Sequence, residues 1–98
     1  MAVYFMNSYD IVDEQQFSKY APQVIPLLKK YGAEVVAADV NGIAIEGIPR
    51  KMNAIIRFPS AEAALKCYND PEYQPYKALR IASTANCTMV LVEEFKMA

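Results

Sequence analysis

The chain has 98 residues, of which 54% are hydrophobic, with a formal net charge of −1 at pH 7 and no histidine. A chain of this length has room for one hydrophobic core, so we expect a single domain over residues 1–98. Its near-neutral charge and scattered basic residues give no field that would gather phosphates, which argues against nucleic acid as a partner. Without histidine the commonest metal ligand, haem ligand and general base are missing, so we expect no metal and no cofactor.

Targeting segments and cysteine spacing bear on where the protein works. The N-terminal MAVYFMN has no basic residue and is too short for a signal peptide, and no stretch approaches the ~20 apolar residues of a membrane span. Cys67 and Cys87 lack the C-x-x-C spacing of redox and metal sites, which favours reduced core cysteines. We therefore expect a cytoplasmic protein without a membrane segment.

The first segment with a clear pattern predicts a strand, and the second predicts a long helix. Residues 2–9 are almost all apolar, aromatic or β-branched without alternation, which is typical of a strand covered on both faces. Asp13 and Gln16 then resemble a capping box that opens an amphipathic helix ending at Gly32. Two prolines lie inside this helix, and each would cost about 3 kcal/mol in an unbroken one, so we expect a kink or break near Ala21.

The middle of the chain predicts strands separated by turns. Residues 33–39 form the second strand, and Asn41-Gly42 indicates a hairpin or bulge. Residues 43–46 are expected to return as a short strand, followed by a loop over residues 47–51. Asn53 to Phe58 forms the next strand, with alternate residues on its two faces.

Two helix starts follow in close succession. Ser60 after a proline, with an acid in the next turn, is typical of a helix N-cap, and this helix should end near Asn69. Asp70, Pro71 and Glu72 repeat the pattern and predict a second helix starting there. Residues 86–93 carry the apolar run CTMVLV and form the last strand.

Tyrosines and a basic side chain share one face of the second helix. Tyr73, Tyr76 and Arg80 fall at i, i+3 and i+7, with Lys77 at the edge of that face. A row of phenols thus ends in a guanidinium.

The element order is that of an α+β, ferredoxin-like split βαβ sandwich, in which helices cover one face of the sheet. The first and last strands are apolar on both faces, so the second face also needs a cover. A second copy packing sheet to sheet supplies it. We therefore expect a homodimer.

The chain also resembles a known family over nearly its whole length. The resemblance is carried by FPSAEAALKCYNDPEYQPYKALR from Phe58 to Arg80, by Glu46-Gly47 and by YAPQVIPLLKKYG from Tyr20 to Gly32. These segments resemble domain of unknown function 1330 (DUF1330), of the dimeric α+β barrel superfamily. Where that family usually has paired glycines, Gly32 is followed here by Ala33. The resemblance implies a subunit that forms a dimeric α+β barrel, whereas the family itself has no assigned activity. Other branches of the superfamily include cofactor-free monooxygenases, muconolactone isomerases and haem-dependent enzymes.

Five side chains are candidates for a ligand site. Arg80 and Arg57 offer forked donors that match a carboxylate or an enolate. Tyr20 and Tyr73 can line a cleft with apolar rings and polar tips, and Glu46 can act as a base or as an arginine's partner.

Each candidate also has a purely structural interpretation. Arg80 near a helix C-terminus suits the helix dipole and can pair with a glutamate. Arg57 can be a solvated or interface charge, and Glu46 a salt-bridge residue. A tyrosine row at helical spacing is commonly core with its hydroxyls at the rim.

Three functions remain open. The first is binding of a small apolar or aromatic acid in a cleft lined by Tyr20, Tyr73 and Arg80. The second is a cofactor-free isomerase or monooxygenase, in which Arg80 stabilises charge and a phenol or Glu46 moves a proton. The third is a purely structural dimer whose cleft is filled by side chains.

Overall fold

Eight elements build the fold in the computed structural model, which describes residues 1–97. In chain order they are β1 (Val3–Ile11), α1 (Glu14–Phe17), α2 (Tyr20–Lys30), β2 (Glu34–Asp39), β3 (Met52–Phe58), α3 (Ala61–Tyr68), α4 (Gln74–Ser83) and β4 (Thr84–Glu93). The strands form one antiparallel sheet in the order β2-β3-β1-β4, with the helices on one face. This is the α+β, ferredoxin-like arrangement that the sequence predicts.

The core lies between the helices and the side of β1 that carries Val3 and Phe5. Phe58 of β3 is 1% exposed and meets the ring of Phe5 edge-on, with the centroids 5.4 Å apart. On the opposite face of the sheet the apolar side chains lie open, with Met6 41% and Val90 52% exposed. The helices therefore cover only half of the sheet's apolar surface.

The break predicted near Ala21 occurs slightly earlier, because α1 ends at Phe17 and α2 begins at Tyr20. Pro22 then falls in the first turn of α2, where its missing N–H has no intrahelical partner to lose. Asp13 caps α1 as expected, and its Oδ1 accepts a hydrogen bond from the backbone N–H of Gln16 at 3.0 Å.

The short strand expected over residues 43–46 is absent from the described chain, and residues 40–51 form one long loop instead. Ile43, Ile45 and Ile48 in this loop are 88%, 88% and 99% exposed. Ile43 and Ile45 alternate as in a strand, but the segment pairs with no strand among residues 1–97. The radius of gyration is 13.7 Å, against about 12.6 Å for a compact chain of this length.

The second helix predicted at Asp70 begins four residues later, at Gln74. Asp70 does act as a cap, but for a turn: its Oδ1 accepts from the backbone N–H of Glu72 at 2.8 Å. The backbone N–H of Tyr73 then donates to the carbonyl of Asp70 at 2.9 Å. The last strand begins at Thr84 instead of Asn86, and Asn86 has a positive φ of 55° close to an irregularity in the β1–β4 register.

Candidate functional site

A pocket of about 250 Å³ lies between the helices and the sheet. Phe5 of β1 and Ala54 of β3 contribute to its sheet side, and residues of α2 and α4 to its helix side. Ile25 of α2 and Val35 of β2 also line it and are 41% and 46% exposed. Its lining is almost entirely apolar, which suits the hydrocarbon part of a small ligand.

Arg80 of α4 is the one charged side chain among the described residues that line this pocket. It is 4% exposed, and its Nη1 donates to the Sγ of Cys87 at 3.0 Å. Its Nε has no hydrogen-bond partner, and no ion pair among residues 1–97 includes it. Buried charges in proteins are normally paired, so this guanidinium can accept an anion.

The surroundings of Arg80 keep it charged. Burial lowers its pKa, but the interactions with the hydroxyls of Tyr73 and Tyr20 and with the Cys87 sulfur outweigh this effect and raise the pKa above its ordinary value. Burial also raises the pKa of Tyr9 to about 12, against a smaller opposing effect of the Arg80 charge. The pocket therefore holds a cation beside the neutral phenol of Tyr9 near neutral pH.

Two phenols of the pocket bind each other. The hydroxyls of Tyr20 and Tyr73 are 2.7 Å apart, and their rings pack edge-on with centroids 6.5 Å apart. Burial is the largest effect that raises the pKa of Tyr20, followed by the neighbouring Tyr73. The structure thus brings Tyr20, Tyr73 and Arg80 together in one pocket. Tyr76, on the predicted phenol row, is half-buried and packs against the core outside the pocket lining.

Glu46 and Arg57, the other two candidates, lie outside the pocket. Glu46 is exposed in the loop of residues 40–51. Arg57 lies on the open face of the sheet, with its side chain 39% exposed and its Nη1 3.9 Å from Oε1 of Glu34. Neither is among the residues that surround the pocket.

Asn7 of β1 is a pocket residue that the sequence did not single out. Its Oδ1 is buried and has no hydrogen-bond partner. The pattern that could have revealed it is a lone amide inside the otherwise apolar YFMN stretch, at an alternate position with Phe5 and Tyr9.

The two cysteines differ, although both were expected in the core. Cys67 is 4% exposed, and burial raises the pKa of its thiol to about 11. Cys87 is exposed, which corrects that expectation. It lies on β4, an edge strand of the sheet, where only one strand flanks it.

Two further properties concern the described residues as a whole. No group of three or more cysteine, aspartate or glutamate side chains in residues 1–97 is arranged to hold a metal ion. Nor does any helix there have the length and apolar character needed to cross a membrane.

Comparisons with known proteins agree with this architecture. The family model described as Domain of unknown function (DUF1330) matches residues 2–95. None of the curated proteins searched matches the sequence. Among solved structures, the chain is similar to a protein of unknown function from Rhodopseudomonas palustris, with a TM-score of 0.84 and 16% identity, covering 98% of this chain and 84% of that one.

Two other similar structures extend the comparison. SnoaB from Streptomyces nogalater, a cofactor-independent oxygenase, has a TM-score of 0.70 and 11% identity, covering 98% of this chain and 95% of that one. A dimeric protein of unknown function with a ferredoxin-like fold, from Bacteroides fragilis, has a TM-score of 0.66 and 11% identity, covering 95% of this chain and 96% of that one. Similarity at these identities shows the fold alone.

Proposed function

This chain belongs to the DUF1330 family, whose name leaves the activity open, and we propose that it binds a small apolar or aromatic acid in the pocket around Arg80. The observation that carries the proposal is that Arg80 is 4% exposed, has no ion-pair partner among residues 1–97 and lines an otherwise largely apolar pocket. An acid supplies both the missing counter-charge and a hydrocarbon body for the apolar walls.

The phenols give the ligand its orientation. The hydroxyls of Tyr20 and Tyr73 bind each other and lie close enough to Arg80 to raise its pKa. A carboxylate on Arg80 therefore lies beside a phenol pair that can donate a further hydrogen bond to it.

The test is calorimetric titration with benzoate, 2-naphthoate and their uncharged amides. Both acids should bind, and the amides should bind much more weakly because they cannot neutralise Arg80. Arg80→Met keeps most of the side chain's volume and removes the charge, so it should weaken acid binding by about 10-fold to 100-fold. The Arg80→Met substitution is expected to leave the fold intact, because replacing a buried charge with an apolar group is commonly tolerated.

A matched control is available on the other face of the sheet. Arg57→Met removes an arginine that is 39% exposed and pairs with Glu34 outside the pocket, so acid binding should not change. Equal affinity for acids and amides, or equal loss in both variants, would contradict the proposal.

A cofactor-free isomerase or oxygenase is the second candidate. It is favoured by the phenol pair of Tyr20 and Tyr73 next to the guanidinium, since Arg80 can hold a developing oxyanion while a phenol supplies a proton. The similarity to SnoaB is one of fold only. The protein is incubated in air with an acid that it binds, and chromatography measures whether the acid is consumed. Consumption would distinguish an enzyme from a protein that only binds the acid.

We also propose that the protein is a cytoplasmic homodimer that pairs through the open face of its sheet. Met6 and Val90 are neighbours across β1 and β4 on that face and are 41% and 52% exposed. When the same face of a second copy packs against it, the exposed apolar side chains of both subunits are covered, as in an interface with two-fold symmetry. Two free cysteines fit a reducing compartment.

A further inference from the structure

Asn7 occupies an unusual place for an amide. It lies on β1, an inner strand of the sheet, and its neighbours across β3 and β4 are Ala54 and Met89. All three line the pocket, so the amide is flanked by apolar side chains on the sheet side of the pocket, here called the apolar floor. Its Oδ1 is buried without a hydrogen-bond partner.

Two buried side-chain polar atoms lack partners among residues 1–97, and both belong to pocket residues. One is the Oδ1 of Asn7, which accepts hydrogen bonds, and the other is the Nε of Arg80, which donates them. Leaving either group unpaired reduces stability, because the group has lost its water and gained nothing in return. A pair of opposite hydrogen-bonding character in one pocket points to one ligand that satisfies both.

We infer that Asn7 is a specificity-determining residue and that the ligand is an acid carrying a second, hydrogen-donating group such as a hydroxyl. This inference rests on the proposed function, because it takes the carboxylate to be held by Arg80. The ligand hydroxyl donates to the Oδ1 of Asn7 while the apolar floor contacts the ring between the two groups. Hydroxylated aromatic acids are the class that fits this combination of walls and polar atoms.

Protein stability distinguishes a ligand-binding role of Asn7 from a structural one. An asparagine that stabilises a fold does so through hydrogen bonds, and removing them destabilises the protein. Here the amide oxygen has no such bond. Asn7→Leu, of similar size and apolar like the rest of the floor, should therefore raise the Tm of the ligand-free protein by about 4–8 °C.

The experiment measures two quantities on the same variants. The first is the affinity for 2-, 3- and 4-hydroxybenzoate relative to the methylbenzoate with the same substitution, which has the same shape but no donor. In the wild-type protein at least one hydroxy acid should bind about threefold to tenfold more tightly than its methyl partner, and Asn7→Leu should abolish this preference. The second is the Tm of each ligand-free protein. Thr88→Val is the matched control, because Thr88 pairs with Ser8 across β1 and β4 and its side chain therefore lies on the opposite face of the sheet from that of Asn7. This variant should leave the preference unchanged.

The outcomes separate this inference from the proposed function. If methylbenzoates and hydroxybenzoates bind alike and both depend on Arg80, the role of Asn7 is wrong and acid binding stands. A lower Tm or loss of folding in Asn7→Leu, reproduced in Asn7→Ala, would make Asn7 structural and overturn the inference. If none of the acids binds, both the inference and the proposed function fail.

Discussion

At the scale of single residues, aromatic rings determine the surroundings of Arg80. Phe17 stacks on Tyr20 with centroids 5.8 Å apart, and Tyr73 packs against Tyr68 at 5.7 Å. Together with the edge-on contact of Tyr20 and Tyr73, these rings form a continuous row beside the guanidinium. The row excludes water from the cation, and this makes its interaction with an acid stronger than at an exposed site.

A cluster of hydrogen-bonded residues around Asp70 lies outside the pocket, between the end of α2 and the turn before α4. The carboxylate of Asp70 accepts hydrogen bonds from the Tyr31 hydroxyl and the backbone N–H of Glu72, and Lys30 Nζ lies 3.5 Å from it. The Tyr31 hydrogen bond is the largest effect that holds the pKa of Asp70 below its ordinary 3.8. This group therefore ties the two segments together in a way that depends on pH.

Tyr31→Phe should destabilise the protein at pH 7 more than at acidic pH. Because the pKa of Asp70 is lower in the folded than in the unfolded chain, its contribution is fully present above about pH 4 and is lost as the pH falls through the folded-state value. Urea unfolding of the variant and the wild type at pH 7 and at pH 3 measures the difference. Tyr76→Phe, a half-buried tyrosine of α4, is the control. A stability difference of equal size at both pH values would contradict the assignment.

At the scale of elements, α3 shows how local sequence places a helix. The Oγ of Ser60 accepts a hydrogen bond from the backbone N–H of Ala63 at 3.1 Å, while Ser60 itself is extended with φ of −158°. Glu62 in the first turn lies 2.8 Å from Lys66 one turn later. Each of these contacts involves residues at most four positions apart, so each can be recognised in the sequence.

Ser60→Ala removes this cap and should lower the free energy of unfolding by about 1 kcal/mol, which for a chain of this size lowers Tm by about 4–8 °C. Thermal unfolding followed by circular dichroism measures the change. Ser60→Asp keeps an acceptor oxygen at the same place and should restore most of the loss. An unchanged Tm in Ser60→Ala would show that α3 is held by packing alone.

Features that depend on residues close in sequence could be predicted from the sequence. Features that depend on which strands lie next to each other in the sheet could not. The start of α3 and the strand cores follow from the Ser60 cap and from apolar patterns, and Tyr73 and Arg80 face one pocket because seven residues make nearly two helical turns. The role of Asn7 depends on which strands flank β1, and that is not a local property. Glu46 could not be placed for the same reason, because a loop segment becomes a strand only where a neighbouring strand is present.

At the scale of the whole molecule, the sheet has one covered and one open face. The helices bury the side of β1 that carries Phe5, whereas Val90 and Val92 of β4 are 52% and 40% exposed on the other side. The isoleucines of the 40–51 loop add further exposed apolar surface. Neighbouring exposed apolar side chains on one sheet face are typical of a protein interface, which supports pairing with a second copy.

Val90→Asp should convert the proposed dimer into monomers. In an interface with two-fold symmetry the substitution places two uncompensated charges on one apolar surface, so its effect is felt twice. Light scattering coupled to size exclusion measures the mass of the assembly. Ile81→Asp is the matched control, because Ile81 is 58% exposed on α4 and lies away from the open face. Dimers in the first variant together with monomers in the second would place the interface on the helices.

The central claim, a pocket whose buried Arg80 holds an acid, is tested most directly by native mass spectrometry of the protein as purified from cells. The measurement reports the number of subunits and any retained small molecule in one spectrum. We predict a dimer that carries a discrete additional mass, and the molecule released from it should be detected as an anion. The additional mass should be lost in Arg80→Met and kept in Arg57→Met. A retained molecule that persists unchanged in Arg80→Met would contradict the claim that this guanidinium is what binds the ligand.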